Sequence, residues 1–238
     1  MVEEISISGL LLAFLPALLV IGILWRWSAG ARTAVYATTR MLVQLLLIGY
    51  ILVYIFEAEH ATLIAIVLLV MLFAASWIAI RPVQAKSPAT YRNALIAIST
   101  GGILVLALVT QVVIGVEPWF APRYVVPLAG MVFAGAMNAV SLGAERLQAE
   151  LSRDVPVHDA RRIALQAALI PITNSLLAVG IVSLPGMMTG QILSGVSPLI
   201  AAKYQIVVMT MFFGVSGISA ALYLVLQTRG SAIDEAGS

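Results

Sequence analysis

From Ile163 to Ala202 the chain carries no charged residue. That stretch is about twice the roughly 20 apolar residues that one membrane-spanning helix requires. Its middle is broken by Pro185, Gly186, Gly190, Gly195 and Pro198, residues that remove helical hydrogen bonds or weaken helical preference. Hydrocarbon offers no partner for backbone groups freed in this way, so the segment must meet protein or water. Interrupted apolar segments of this kind often line a pathway, and the chain reads as a transport component.

The composition agrees. With 61% hydrophobic and 10% charged residues in 238, a polytopic membrane protein is the class that fits. The net charge of +2 comes from basic residues dispersed over short loops, which gives no nucleic-acid surface. Cysteine is absent, so disulfides and thiolate metal sites are excluded. The opening Met1-Val-Glu-Glu-Ile lacks the basic region of a secretory signal, and the first span is expected to stay as an anchor.

Apolar runs between charges predict an all-α bundle of about seven spans, near 6–25, 41–56, 61–80, 94–116, 125–144, 163–184 and 204–226. The whole of residues 1–238 then forms one transmembrane domain with short tails. Trp25, Trp27, Tyr54, Trp77, Trp119 and Tyr124 stand where the water boundary is expected. Arg26, Arg32 and Arg40 fall in one loop, Arg81, Lys86 and Arg92 in another, and Arg146, Arg153, Arg161 and Arg162 in a third. The opposite side keeps Arg123 and Lys203, so positive charge predicts an outside N-terminus and a cytoplasmic C-terminus. Segment 185–202 is expected to be re-entrant or extracellular, because its Pro and Gly spacing makes a full helix costly.

Several chemistries are missing. His60 and His158 fall in loops on opposite sides of the membrane, which removes a buried Ser–His pair and a His-based metal site. No Asp or Glu falls inside a predicted span, which disfavours carboxylate proton relays and ion-coupled transport. A phosphate-binding loop needs a lysine after glycine and before Ser or Thr, and neither Lys86 nor Lys203 has that setting. Transport driven by ATP would therefore need its engine on another polypeptide, and no cofactor is implied.

The polar residues inside the spans are uncharged, among them Gln44, Gln111, Asn138, Asn174 and Gln205. Amides facing lipid would be wasteful, so they are expected to face the bundle interior, either as interhelical hydrogen-bond glue or as pathway lining. The candidate pathway set is Gln44, Asn138, Asn174, Met187, Met188, Thr189, Gln191 and Gln205. Pro127 and Pro171 sit inside spans, where Thr173 and Asn174 can use the carbonyls that Pro171 loosens. The methionines fit adaptable packing, or a soft-metal site if thioethers converge. Residues 145–162 form the longest predicted loop and alternate in sign through Glu145, Arg146, Glu150, Arg153, Asp154, Asp159, Arg161 and Arg162. They are either a solvated face or a docking surface for a cytoplasmic partner.

Three blocks carry a family resemblance. They are Arg40 to Phe56, Val126-Pro-Leu-Ala-Gly-Met131 with Ala136-Met-Asn138, and Ala168 to Gln205 with Leu184-Pro-Gly-Met-Met-Thr-Gly190 at its heart. On these the chain resembles the FetB-type permeases, the bacterial iron-export permease family, which is similar to the plant aluminium-sensitivity transporter. The resemblance implies the membrane subunit of an ABC transporter, a homodimer working with a separate cytoplasmic ATPase, exporting iron or a related metal from a cell inner membrane. It also implies that the set at 145–162 contacts the ATPase. Two features depart from the pattern. Ala136 stands where the family usually has Asn, and the 145–162 loop is about a dozen residues shorter than usual. A passive channel or secondary transporter, and a noncatalytic membrane accessory subunit, are the alternatives.

Overall fold

The computed structural model describes residues 5–57, 60–84 and 86–229. They are nearly all helical, with no strand among them beyond an isolated bridge between Val179 and Ser183. The chain divides into two compact units, one up to residue 58 and one from residue 59 onward.

The first unit holds α1 (Ile7–Leu12), α2 (Leu15–Arg26) and α3 (Ala31–Phe56). Ser6 caps α1, its Oγ accepting from the Gly9 N–H at 3.1 Å, which satisfies one of the donors left open at a helix start. Pro16 lies in the first turn of α2, where a missing N–H costs nothing. Helices α2 and α3 touch, yet neither α1 nor α2 buries a single residue. A soluble protein could not leave Leu18, Leu19, Leu45 and Leu46 all more than half exposed. Lipid is the solvent that accepts them.

The second unit holds α4 (Ala61–Ala79), α5 (Pro88–Ala107), α6 (Pro122–Leu151), α7 (Val157–Ala178), α8 (Gly186–Leu193) and α9 (Pro198–Gln227). Helix α5 starts on a Ser87 cap and a Pro88 first turn, and widens at its far end into a π-helical segment, Leu108–Ile114. Helix α6 is the central element and packs on α4, α5, α7 and α9. Its Val132, Ala136 and Val140 are fully buried.

Glycines make these crossings possible. A Cβ on Gly135 would come within 2.8 Å of Phe212, one on Gly102 within 2.8 Å of Phe133, and one on Gly101 would collide with Ser219. Across the α6–α9 crossing the Ser216 hydroxyl donates to the Gly135 carbonyl at 3.4 Å. Small residues drive helix association where the hydrophobic effect between helices is absent.

Among the described residues, six helical stretches are long and apolar enough to span a membrane: Ile7–Arg26, Ala31–Phe56, Ala61–Ala79, Pro88–Ile114, Pro122–Leu151 and Pro198–Gln227. The expected sixth span corresponds to α7, whose 22 residues give about 33 Å of helix. It carries Asp159, Arg161, Arg162, Gln166 and Asn174 and is not among the six. Segment 185–202 does not form a single crossing helix. Its α8 has 8 residues, about 12 Å at 1.5 Å per residue, against a hydrocarbon core of about 30 Å.

Candidate functional site

Two ends of the second unit hold its polar chemistry. At one end α7 finishes, the chain turns back through 179–184, α8 forms, and α9 begins. Gly180 and Gly195 take φ of +83° and +92°, a left-handed conformation that costs an L side chain about 1–2 kcal/mol. They stand before and after α8. Pro185 directly precedes α8, and Pro198 sits in the first turn of α9, where a proline is harmless. Pro185, Gly195 and Pro198, expected to break a long helix, thus frame a short one together with Gly180, whereas Gly186 and Gly190 lie inside it.

A cavity of about 320 Å³ opens between these elements, with Leu176, Met188, Gln205, Met209 and Thr210 in its wall. Gln205 is 5% exposed, and its Oε1 has no hydrogen-bond partner among the described residues. On α8 the Gln191 Oε1 is likewise buried and unpartnered. Leaving a buried amide oxygen empty costs about 1–3 kcal/mol, a cost usually tolerated only where a ligand or water completes the site. The Thr189 hydroxyl is occupied, donating to the Pro185 carbonyl at 3.2 Å. Met187 packs against the main core, whereas Met188 faces the cavity.

The other amides depart from expectation. Gln44, Asn138 and Asn174 are exposed, not turned into the interior of their own units. Burial phase explains the two in the second unit. Helix α6 buries Val132, Ala136, Ala139, Val140 and Gly143, which leaves Asn138 on the free side. Helix α7 buries Val157, Ala160, Ala164 and Ala168 and nothing later, so Asn174 lies in its unpacked half. Asn138 still lines a small groove of about 160 Å³ with Pro171, Ser175 and Ser216. At the Pro171 kink site it is Ser175, not Thr173 or Asn174, whose hydroxyl bonds back, to the Pro171 carbonyl at 2.9 Å.

The opposite end gathers the charge. The expected 145–162 loop shrinks to residues 152–156, because Glu145 to Leu151 complete α6 and Val157 already opens α7. Glu145, Arg146, Glu150 and their neighbours thus sit on helix ends. Glu150 is 5% exposed, with Arg146 Nη2 at 2.7 Å and Arg153 Nη1 at 3.5 Å from its Oε1. The shorter contact lies off the hydrogen-bond axis and acts as an ion pair. Asp159 pairs with Arg162 at 3.6 Å and approaches His158 at 3.7 Å, and Asp154 takes a positive φ of 58° in the turn. Amide bonds brace this end. The Gln84 N–H donates to Gln148 Oε1 at 3.1 Å, and Asn93 Nδ2 donates to Gln227 Oε1 at 3.0 Å. Sequence reasoning singled out Glu150 as one charge in a solvated series. Its burial was signalled by basic residues four before and three after, the spacing that brings helix neighbours together.

No group of three or more His, Asp or Glu that could hold a metal occurs among the described residues. All six aromatic residues expected at the water boundary are more than half exposed.

Comparison with known proteins agrees with this architecture. The model of the Uncharacterised protein family (UPF0014) matches residues 7–156 and 152–231, two pieces that meet at the turn between α6 and α7. The UPF0014 membrane protein slr1647 of Synechocystis is 33% identical over 189 residues, 73% of this chain and 73% of the relative. The probable iron export permease protein FetB of Escherichia coli is 33% identical over 218 residues, covering 85% and 79%. Protein ALUMINUM SENSITIVE 3 of Arabidopsis thaliana is 31% identical over 201 residues, covering 78% and 72%. No solved structure matches.

Proposed function

The chain belongs to the UPF0014 family of multi-pass membrane proteins, and on that premise we propose that it is the permease subunit of a transporter powered by a separate ATPase, exporting iron or a related metal ion. A membrane transport role is supported by the family and by the six apolar helices. The export direction and the metal come from the printed description of the Escherichia coli relative. The need for an outside engine comes from the sequence, which has no phosphate-binding loop and no acid within the spans expected from it, Glu145 and Glu150 falling in the last two turns of α6.

The observation that carries the reading is the cavity at the start of α9. There Gln205, whose buried Oε1 has no hydrogen-bond partner among the described residues, is one of the residues lining a space of about 320 Å³ beside an interrupted helix. Solute moves past Gln205, Gln191, Met188 and the α8 turn, with Met187 and Thr189 holding that turn in shape. Asn138 and Asn174 contribute exposed amides to the same route when two copies of the chain assemble. The charged helix ends around Glu150, Arg153 and Asp154 receive the ATPase. Movement of that subunit on nucleotide binding reaches the cavity through α6 and α9, which pack along each other.

Reconstitution tests this reading. The purified chain is placed in liposomes alone and together with its ATPase, and iron movement is followed with and without ATP. ATP-dependent iron movement only in the two-component vesicles is the expected result. Uphill pumping by the chain alone, or no metal movement with both components and ATP, would overturn it.

A further inference from the structure

We infer that the groove between α7 and α9 at the charged end is a binding site for an anionic phospholipid, with its phosphate on Arg161 and part of an acyl chain below. The groove encloses about 330 Å³. His158, Arg161 and Arg162 stand at its mouth, and Leu165, Leu224 and Val225 form its apolar floor. A basic rim above an apolar slot matches a phosphodiester attached to hydrocarbon, and a basic pocket between membrane helices is a recurrent setting for acidic lipid headgroups.

The charges at the mouth are not equivalent. Asp159 is occupied by Arg162 at 3.6 Å and lies 3.7 Å from His158. Arg146 and Arg153 share Glu150. Arg161 has no carboxylate partner among the described residues, and its Nε is buried without an acceptor. A guanidinium drawn out of water with an open N–H is costly unless an anion completes it. Its fork can donate to two phosphate oxygens at once, and the carboxylates Asp159 and Glu150 are taken by other cations.

A lipid fits better than an acidic loop of a protein partner. Leu165 lies about one turn along α7 from Arg161 and Arg162, and Val225 is 43% exposed on a helix that is itself apolar enough to span a membrane. A partner's acidic segment would meet Arg161 from the water side and leave that floor uncovered.

The inference does not depend on the transported solute or on the ATPase, and it is tested on the purified chain by itself. Native mass spectrometry compares retention of phosphatidylglycerol and phosphatidylcholine of equal chain length, with inorganic phosphate as a third arm. The wild type retains phosphatidylglycerol preferentially. Arg161→Gln lowers that preference about fivefold, the effect of one cationic side chain at a lipid surface, and Arg161→Lys keeps part of it. Val225→Trp, which fills the floor, reduces retention of both lipids. Arg92→Gln, an exposed basic residue outside the groove, changes nothing.

Unchanged lipid preference in Arg161→Gln overturns the inference. So does full displacement of phosphatidylglycerol by an equal concentration of inorganic phosphate, which makes this a free-phosphate site. Loss of ATPase binding in Arg161→Gln with lipid preference intact assigns the groove to a protein partner instead.

Discussion

The two ends of the second unit solve opposite problems. At the charged end the polar groups are mostly charged and gathered into ion pairs and amide hydrogen bonds, although Arg146 Nε, Glu150 Oε1 and Arg161 Nε lack a hydrogen-bond partner among the described residues. Glu150 lies between two arginines, Gln148 and Gln227 accept hydrogen bonds from across the bundle, and the turn between α6 and α7 is five residues, 152–156. At the other end, Lys203 aside, the polar groups are few and neutral, Gln191 and Gln205 keep an empty acceptor, and two left-handed glycines and two prolines frame one short helix. Paired charges on helix ends suit a contact that transmits displacement, whereas an unsatisfied amide beside a cavity suits exchange of partners. On the proposed function, the first end takes the drive and the second the solute.

That contrast can be broken by substitution. The largest effect is expected from Gln205→Leu. Removing an empty amide in favour of an apolar side chain of similar size leaves stability unchanged or raised, while metal transport falls on the order of tenfold or more, as for loss of a buried polar contact worth about 1–3 kcal/mol. Thermal unfolding in detergent and flux in vesicles separate the two outcomes. If Gln205 merely glued helices, the protein would lose stability together with flux.

Glu150→Ala comes next. It leaves Arg146 and Arg153 without their shared counter-charge at a buried point, and a stability loss of about 1–3 kcal/mol is expected. The loss is reduced because both arginine side chains are partly solvated, at 42% and 66% exposure. A lower midpoint of thermal unfolding checks it. Gly195→Val follows at about 1–2 kcal/mol, the cost of a left-handed β-branched residue, read as faster proteolysis of the 185–198 region. Asn138→Ala is the smallest. Exposed and unpaired, it shifts unfolding by no more than about 0.5 kcal/mol, and any effect it has is expected in transport alone.

Part of this arrangement is legible before any coordinates. Proline and glycine delimit α8 because their backbone restrictions are local, and the aromatic residues expected at the water boundary are all exposed. The inward-facing amides are where the reading fails. Helix α4 is apolar on every side, as lipid permits, so no periodicity separates packed from exposed faces. Asn138 and Asn174 were placed inside on cost alone, and the phase that turns them outward is set by Gly135, Gly143 and Ala168 fitting against neighbours. Gly101 and Gly102 pass unnoticed for the same reason, since their value lies in the Ser219 and Phe133 atoms opposite. The charged stretch 145–162 looked like a loop because its side chains are polar. Helix α6 runs into it as far as Leu151, with Arg146 and Glu150 at helical spacing, and α7 starts at Val157.

The most direct test is the amount of metal moved per ATP hydrolysed, measured in vesicles holding the permease and its ATPase for wild type, Gln205→Leu and Glu150→Ala. Gln205→Leu should keep ATP hydrolysis and lose flux, so that the ratio collapses, whereas Glu150→Ala should lower hydrolysis and flux together and preserve it. The reverse pattern, with Glu150→Ala alone lowering the ratio and Gln205→Leu leaving it intact, would contradict the division of labour between the two ends.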